Sequence, residues 1–180
     1  TDIENMVKFA KDNAIDLVMV APDDPLVLGM VDAMEKEGIR AFGPRANAAI
    51  IEGSKAFSKE LMKKYNIPTA NYEVFTDSTS AIDYIKAQNT FPTVIKADGL
   101  ALGKGVIIAQ NLEEAEQAVH EMIDDGKFGK SGSRVVIEEF LTGPEVSVLA
   151  FTDGKTVKPM VSAQDHKRAY DNDEGLNTGG

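Results

Sequence analysis

Apolar residues recur at helical spacing from the start of the chain, at Ile3, Met6, Val7, Ala10 and Ala14. The short apolar run at 16–20 that follows is closed by Pro22 and Pro25. The pattern predicts a helix and then a buried strand. Leu26, Val27, Met30, Val31 and Met34 form a second stripe, read as one helix stopped by Gly38, with a strand at 39–42 ended by Gly43-Pro44. Strands alternating with helices make a parallel α/β layer. Residues 1–52 therefore read as the C-terminal part of a Rossmann-like domain whose first strands are expected outside this chain.

From Ser54 the character changes. Phe57, Leu61, Met62 and Tyr65 share one face of a helix that Ser54 caps and that ends before Ile67-Pro68. Strands are predicted at 72–75, 93–97 and 106–108, with a helix around 79–88 and a glycine-rich loop between the last two strands. Asn111 followed by Glu114 is a capping pattern opening another helix through Val119 and Met122. Strands at 135–141 and 146–151 follow, and Gly129 to Ser133 reads as a loop between helix and strand. Asp153-Gly154 predicts a hairpin joining 146–151 to 156–161. This second part is α+β with antiparallel pairing, so the chain as a whole is α/β and α+β.

The 180 residues fit one medium domain or pieces of two, at roughly 100–200 residues per domain. A formal charge of −10 argues against a surface made to coat nucleic acid or anionic membrane. Any polyanionic ligand then needs local cations or metal ions. With no cysteine, disulfides, thiolate metal sites and thiol nucleophiles are excluded. No apolar run approaches the roughly 18 residues of a membrane helix, and the first residues lack a basic signal-peptide start. A cytoplasmic address is expected. The chain starts without methionine and stops at Gly179-Gly180 after a polar stretch, which suggests a piece of a longer polypeptide.

The segment Lys96-Ala97-Asp98-Gly99-Leu100-Ala101-Leu102-Gly103-Lys104-Gly105 lies between two predicted strands. Its spacing fits neither a Walker loop, which needs four residues between its glycines, nor a dinucleotide loop, which opens a helix. What remains is a flexible loop whose glycines let backbone N–H groups approach phosphate oxygens, with Lys104 reaching over them. A plain hairpin tip with a solvated lysine has the same composition. Lys96 is either an edge lysine that deters aggregation or is aimed into a site. Lys55 falls in the first helical turn, where a cation costs about 0.3–1 kcal/mol unless an anion binds; otherwise it is a surface lysine. Glu138 and Glu139 end an apolar strand and point in opposite directions, so only one faces any cleft. Glu145, beyond Gly143-Pro144, could accept sugar hydroxyl protons, and Gln164-Asp165-His166-Lys167-Arg168 crowds donors into one loop. Solvated faces remain open for these carboxylates. His120 sits on the polar side of its helix, and the two histidines make no zinc pattern.

Several stretches taken together resemble the glycinamide ribonucleotide synthetase, or phosphoribosylamine–glycine ligase, family of ATP-grasp enzymes. They are Phe42-Gly43-Pro44, Glu52-Gly53-Ser54-Lys55-Ala56-Phe57, Val94-Ile95-Lys96-Ala97-Asp98-Gly99, Gly103-Lys104-Gly105-Val106 and Val136-Ile137-Glu138-Glu139-Phe140-Leu141. Ser162 to Arg168 and Asn177-Thr178-Gly179-Gly180 complete the set. The lysine, glycine-loop and glutamate set marks ATP-grasp enzymes generally; the last two stretches single out this member.

The resemblance implies ATP-dependent ligation of glycine to 5-phosphoribosylamine, through glycyl phosphate, in purine synthesis. It implies that Lys55, Lys96 and Lys104 act on the ATP phosphates, with Asp98, Gly99, Gly103 and Gly105 in a lid over them. Glu138, Glu139, Phe140 and Leu141 would hold adenine, and Glu145 the ribose. Asp165, His166, Lys167, Arg168, Asn177, Thr178, Gly179 and Gly180 would lie near glycine and phosphoribosylamine. Mg²⁺ or Mn²⁺ would serve as cofactor, with ligands outside this chain, and the rest of a parent polypeptide would be the partner. The implied division is 1–52 Rossmann-like, 53–71 helical linker, 72–141 lid and 142–180 the start of the ATP-grasp core sheet.

The chain departs from the family pattern in places. Ala21-Pro22-Asp23-Asp24-Pro25-Leu26 stands where the family often has Gly-Pro-Glu-Ala-Pro-Leu, Leu102 replaces a common alanine and Leu176 a common proline. The family's amino-terminal glycine-rich loop and downstream Glu and Asn metal ligands have no counterpart here, so the chain alone is not expected to complete the reaction. Another ATP-grasp carboxylate–amine ligase and a non-catalytic nucleotide-binding module are the alternatives.

Overall fold

A computed structural model describes residues 1–101, 105–166, 168–171 and 174–177. It divides into two compact units, Thr1–Phe140 and Leu141–Gly180.

In the first unit α1 (Ile3–Asp12) begins where the Asp2 carboxylate accepts the Asn5 N–H, and its inward side supplies Ala10. Strand β1 (Val18–Met19) pairs in parallel with β2 (Ala41–Phe42), with Val18 opposite Ala41. The stripe between them is two helices, α2 (Asp23–Val27) and α3 (Met30–Lys36), where one was predicted. Gly29 is the reason. It takes a left-handed φ of 84°, its N–H closes α2 on the Leu26 carbonyl, and α3 starts immediately after it. Both predicted strands are trimmed to two residues. Ala10, Val20, Met30, Val31, Met34 and Ile39 close this core.

Helix α4 (Ala46–Gly53) was not anticipated, because Arg45 at its start supplies no side-chain cap. The cap comes from α3 instead, where the Asp32 carboxylate accepts the Ala46 N–H at 2.8 Å. Helix α5 (Lys55–Lys64) follows at once, with the Ser54 hydroxyl accepting the Phe57 N–H at 3.1 Å, as the cap signal predicts.

Next comes a four-stranded antiparallel sheet of β3 (Tyr72–Phe75), β4 (Thr93–Ala97), β5 (Val106–Ala109) and β6 (Val135–Glu139), in the order β3-β6-β4-β5. Helices α6 (Ser78–Gln88) and α7 (Leu112–Ile123) cover one face. The side-chain period of two decides what they cover: Ile95 and Ala97 of β4, and Val135 and Ile137 of β6, enter the core with Ala81, Ile85, Val119 and Met122. The alternate residues, Lys96 and Glu138 among them, are left on the opposite face. Asn111 and Glu114 form the predicted reciprocal cap of α7, with the Asn111 side chain accepting the Glu114 N–H at 3.0 Å and Glu114 accepting the Gln110 N–H at 2.9 Å. The predicted loop at Gly129–Gly132 is a 3-10 turn, and β6 ends at Glu139 rather than at 141.

The second unit holds two hairpins. Strands β7 (Ala150–Thr152) and β8 (Val157–Pro159) are shorter than predicted and pair Thr152 with Val157, and an isolated bridge joins Ser147 to Ala163. The Asp153 carboxylate organises the turn by accepting the Lys155 and Thr156 N–H groups at 3.0 and 2.7 Å, and these bonds hold it below the usual carboxylate range. Strands β9 (Arg168–Tyr170) and β10 (Glu174–Asn177) pair antiparallel. Among the described residues no helix is long and apolar enough to cross a membrane.

The two faces of the sheet carry different energetic weight. Ile95 is fully buried under the helices, whereas Ile108, across from Val94 on the other face, is 47% exposed. Ile95→Ala is expected to cost about 2–5 kcal/mol and Ile108→Ala under about 1 kcal/mol, measured by urea unfolding of each variant.

Candidate functional site

The site begins with a register. Lys96 of β4 sits opposite Val136 of β6, and Val94 opposite Glu138, so Lys96 and Glu138 are diagonal neighbours on the face away from α6 and α7. The Lys96 ammonium reaches the Glu138 carboxylate at 3.0 Å. A second lysine arrives from α5: Lys59 Nζ lies 3.1 Å from the same oxygen, Oε2, with its side chain only 8% exposed. Lys59 also donates to Thr69 Oγ1 at 2.7 Å and to the Ala70 carbonyl at 3.4 Å, and stands 5.5 Å above the Tyr72 ring. Glu138 is 6% exposed, and among the described residues its other oxygen, Oε1, is buried without a hydrogen-bond partner.

Lys55, the first residue of α5, donates to the Gly99 carbonyl at 2.9 Å. Partial burial is the main cause that lowers its pKa below the ordinary lysine value; Asp98 opposes the shift, Lys96 adds to it, and Glu52 and Glu138 oppose it. A half-buried cation with a lysine neighbour and, among the described residues, one carbonyl as hydrogen-bond partner favours the arrival of an anion.

Asp98 fastens this arrangement together. Its carboxylate accepts the Ser54 hydroxyl at 3.0 Å, the Ala56 N–H at 2.7 Å and Arg134 Nε at 2.9 Å, with Arg134 Nη2 making a further ion pair. Its backbone bonds Lys55 and Arg134 as well, through Lys55 N–H to the Asp98 carbonyl and Asp98 N–H to the Arg134 carbonyl, both at 3.0 Å. The N-terminus of α5 is thereby pinned to the end of β4. Gly99 comes next, where the backbone passes so close to the 3-10 turn that a Cβ would fall 2.4 Å from Ser131 Oγ and 3.2 Å from Ser131 Cα. Ser131 Oγ in turn donates to the Leu100 carbonyl at 3.2 Å. At the loop's far end Gly105 is buried, its carbonyl accepting the Ala97 N–H at 2.8 Å. Gly103 and Lys104 lie outside the described residues.

Lys55, Lys96, Asp98, Gly99 and Glu138 are thus brought together in the first unit. Glu139 points the other way, is exposed and bonds Asn71. Phe140 and Leu141 are 39% and 62% exposed. A cavity of about 180 Å³ opens beside this strand end, lined by Asn71, Tyr84, Gln88, Thr93, Glu138 and Glu139; the lysines do not line it. In the second unit Glu145 and His166 are exposed and Asp165 is half-buried. The Arg168 and Asn177 backbones lie in β9 and β10, while Lys167, Thr178, Gly179 and Gly180 lie outside the described residues. Among the described residues no group of three or more His, Asp or Glu side chains could hold a metal ion. Sequence reasoning missed Lys59 and Arg134. Lys59 lies four residues after Lys55, one helical turn along the same face, which is the signal that could have found it.

Residues 53–180 match the phosphoribosylglycinamide synthetase ATP-grasp (A) domain, and residues 1–52 the N domain of the same family. The chain belongs to the phosphoribosylglycinamide synthetase family. The phosphoribosylamine–glycine ligase of Haemophilus influenzae is 54% identical over 180 residues, all of this chain and 42% of that protein. The ligase of Escherichia coli O157:H7 is 52% identical over the same span and share. The chain therefore spans 42% of the length of these relatives. The crystal structure of the Thermotoga maritima phosphoribosylamine–glycine ligase, 40% identical, aligns with 77% of this chain and 35% of its own at a TM-score of 0.71. A biotin carboxylase–βγ-ATP complex from Campylobacter jejuni, 17% identical, covers 84% of this chain and 35% of its own at a TM-score of 0.72 and shares the fold alone. The resemblance seen in the sequence motifs and the mixed ATP-grasp architecture both hold.

Asp98→Ala would leave Arg134, the Ser54 hydroxyl and the Ala56 N–H without their shared acceptor. We expect a loss of at least about 2 kcal/mol in urea unfolding; a loss within about 0.5 kcal/mol, typical of a plain surface substitution, would show that Asp98 does not hold α5 to β4.

Proposed function

We propose that a polypeptide carrying this chain ligates glycine to 5-phosphoribosylamine at the expense of ATP, giving glycinamide ribonucleotide, ADP and phosphate in the cytoplasm. The observation that carries the reading is the convergence of Lys55, Lys96 and Glu138 away from α6 and α7, with Lys55 bonded to Gly99 at the start of the 98–105 loop.

In the first step a glycine carboxylate oxygen bonds to the γ-phosphorus as the bond to the β-phosphate oxygen breaks, leaving ADP and glycyl phosphate. The amine of phosphoribosylamine then attacks the glycyl carbonyl. A C–N bond forms, the C–O bond to phosphate breaks, and the amine proton passes to solvent. Phosphoryl transfer of this kind asks the protein for charge neutralisation and exclusion of water. Lys55 and Lys96 supply the first, each worth about 4 kcal/mol at 4 Å and an effective dielectric near 20 before desolvation. The 98–105 loop, with Lys104, supplies the second. The strand end at Glu138 to Leu141 takes adenine and Glu145 the ribose, while Asp165 to Arg168 and Asn177 to Gly180 serve glycine and phosphoribosylamine. The family implies ATP with a divalent metal, which when bound would neutralise phosphate charge; among the described residues no carboxylate cluster would hold it.

Calorimetry with MgATP tests the phosphate role. Lys96→Met is expected to weaken binding at least about tenfold, and unchanged affinity would remove Lys96 from the phosphates. Because burial already disfavours the charged form of Lys55, its share of the affinity is present at neutral pH and lost as pH rises, beginning below the ordinary lysine value of 10.5. Lys55→Met should flatten that part of the profile. In a polypeptide of the relatives' full length, phosphate release that glycine and phosphoribosylamine fail to stimulate would favour another ATP-grasp ligase; nucleotide binding with no turnover would favour a binding module.

A further inference from the structure

Glu138 is shared unequally. Lys59 is held on every side: its ammonium has three protons and three acceptors, Thr69 Oγ1, the Ala70 carbonyl and Glu138 Oε2, and it stands 5.5 Å over the Tyr72 ring. Lys96 is 28% exposed, and among the described residues Glu138 is its one hydrogen-bond partner. One cation is fixed and the other is free to turn outward. When Lys96 leaves for an anion, a carboxylate that is 6% exposed and has one oxygen without a partner among the described residues would, but for Lys59, be stranded without a hydrogen-bonded counter-charge, which is strongly unfavourable in a protein interior.

We infer that Lys59 is a positioning residue for phosphate binding: it stays paired with the Glu138 carboxylate and holds it in place, so that Lys96 can exchange the carboxylate for a nucleotide phosphate at little cost. The inference rests on the phosphate role proposed for Lys96. The charged groups facing Glu138 are Lys96 from β4 and Lys59 and Lys55 from α5; Asp98, at the end of β4, is saturated by Arg134, Ser54 and Ala56. With Lys59 gone, Glu138 would have to keep Lys96 or take up a proton as Lys96 departs.

The test is calorimetry with MgATP in buffers of different ionisation enthalpy, on the wild-type chain, Lys59→Met, Glu138→Gln and the double variant. Lys59→Met should weaken ATP binding at least about tenfold and add uptake of about one proton per ATP bound. In the Glu138→Gln background the same substitution should change affinity less than about twofold and move no proton. Equal losses in both backgrounds, or an unchanged proton count, would overturn the inference and leave Lys59 a packing residue. If Lys59→Met does not fold, Lys96→Met reproduces the departure of Lys96: the ¹³C shift of the Glu138 carboxyl should stay that of a carboxylate at pH 7, and a protonated Glu138 there would overturn the inference. A wild-type chain that binds no MgATP overturns the phosphate reading itself, and this inference with it.

Discussion

A carboxylate placed on a β-sheet and removed from water persists only if cations are brought to it, and here that requirement organises everything around it. Glu138 alternates out of the helix-covered core because its neighbours Val135 and Ile137 must go in. Once it faces the other way, Lys96 comes to it across the ladder and Lys59 from the helix that docks on that face. The docking of α5 is therefore an electrostatic necessity as much as a matter of packing.

The second layer of control is rigidity where β4 runs into the loop that follows it. Asp98, Ser54 and Arg134 lock the strand end to the helix start, and Gly99 passes where no side chain fits. Lys55 is tethered to the Gly99 carbonyl by the same geometry. A lysine at a helix N-terminus is ordinarily a mild defect; held half-buried beside Lys96, it becomes a place where negative charge is wanted.

What the sequence made legible follows from short-range rules. The period of two set Lys96 apart from Ile95 and Ala97 and showed that one of Glu138 and Glu139 must face a cleft, the caps at Ser54 and Asn111 gave helix starts, and the motif order gave the family. What it concealed lies in contacts between segments distant along the chain. Helix α4 escaped because its cap is Asp32, fourteen positions upstream. The break at Gly29 hid inside an unbroken apolar stripe, and Lys59 gave no signal of its own because its carboxylate partner lies on β6, 79 positions further along the chain. Strand ends at 135–141 and 146–151 were overextended because β propensity continues past the point where partners run out.

The strand order β3-β6-β4-β5 carries one more implication. The central strand is the last of the four to leave the ribosome, and until it does β3 and β4 have nothing between them to bond. Lys59 and Lys96 both precede in the chain the carboxylate they share, and the strand that bridges β3 and β4 is the one that carries it. Closing the sheet and giving the two lysines their shared acceptor both depend on that one strand.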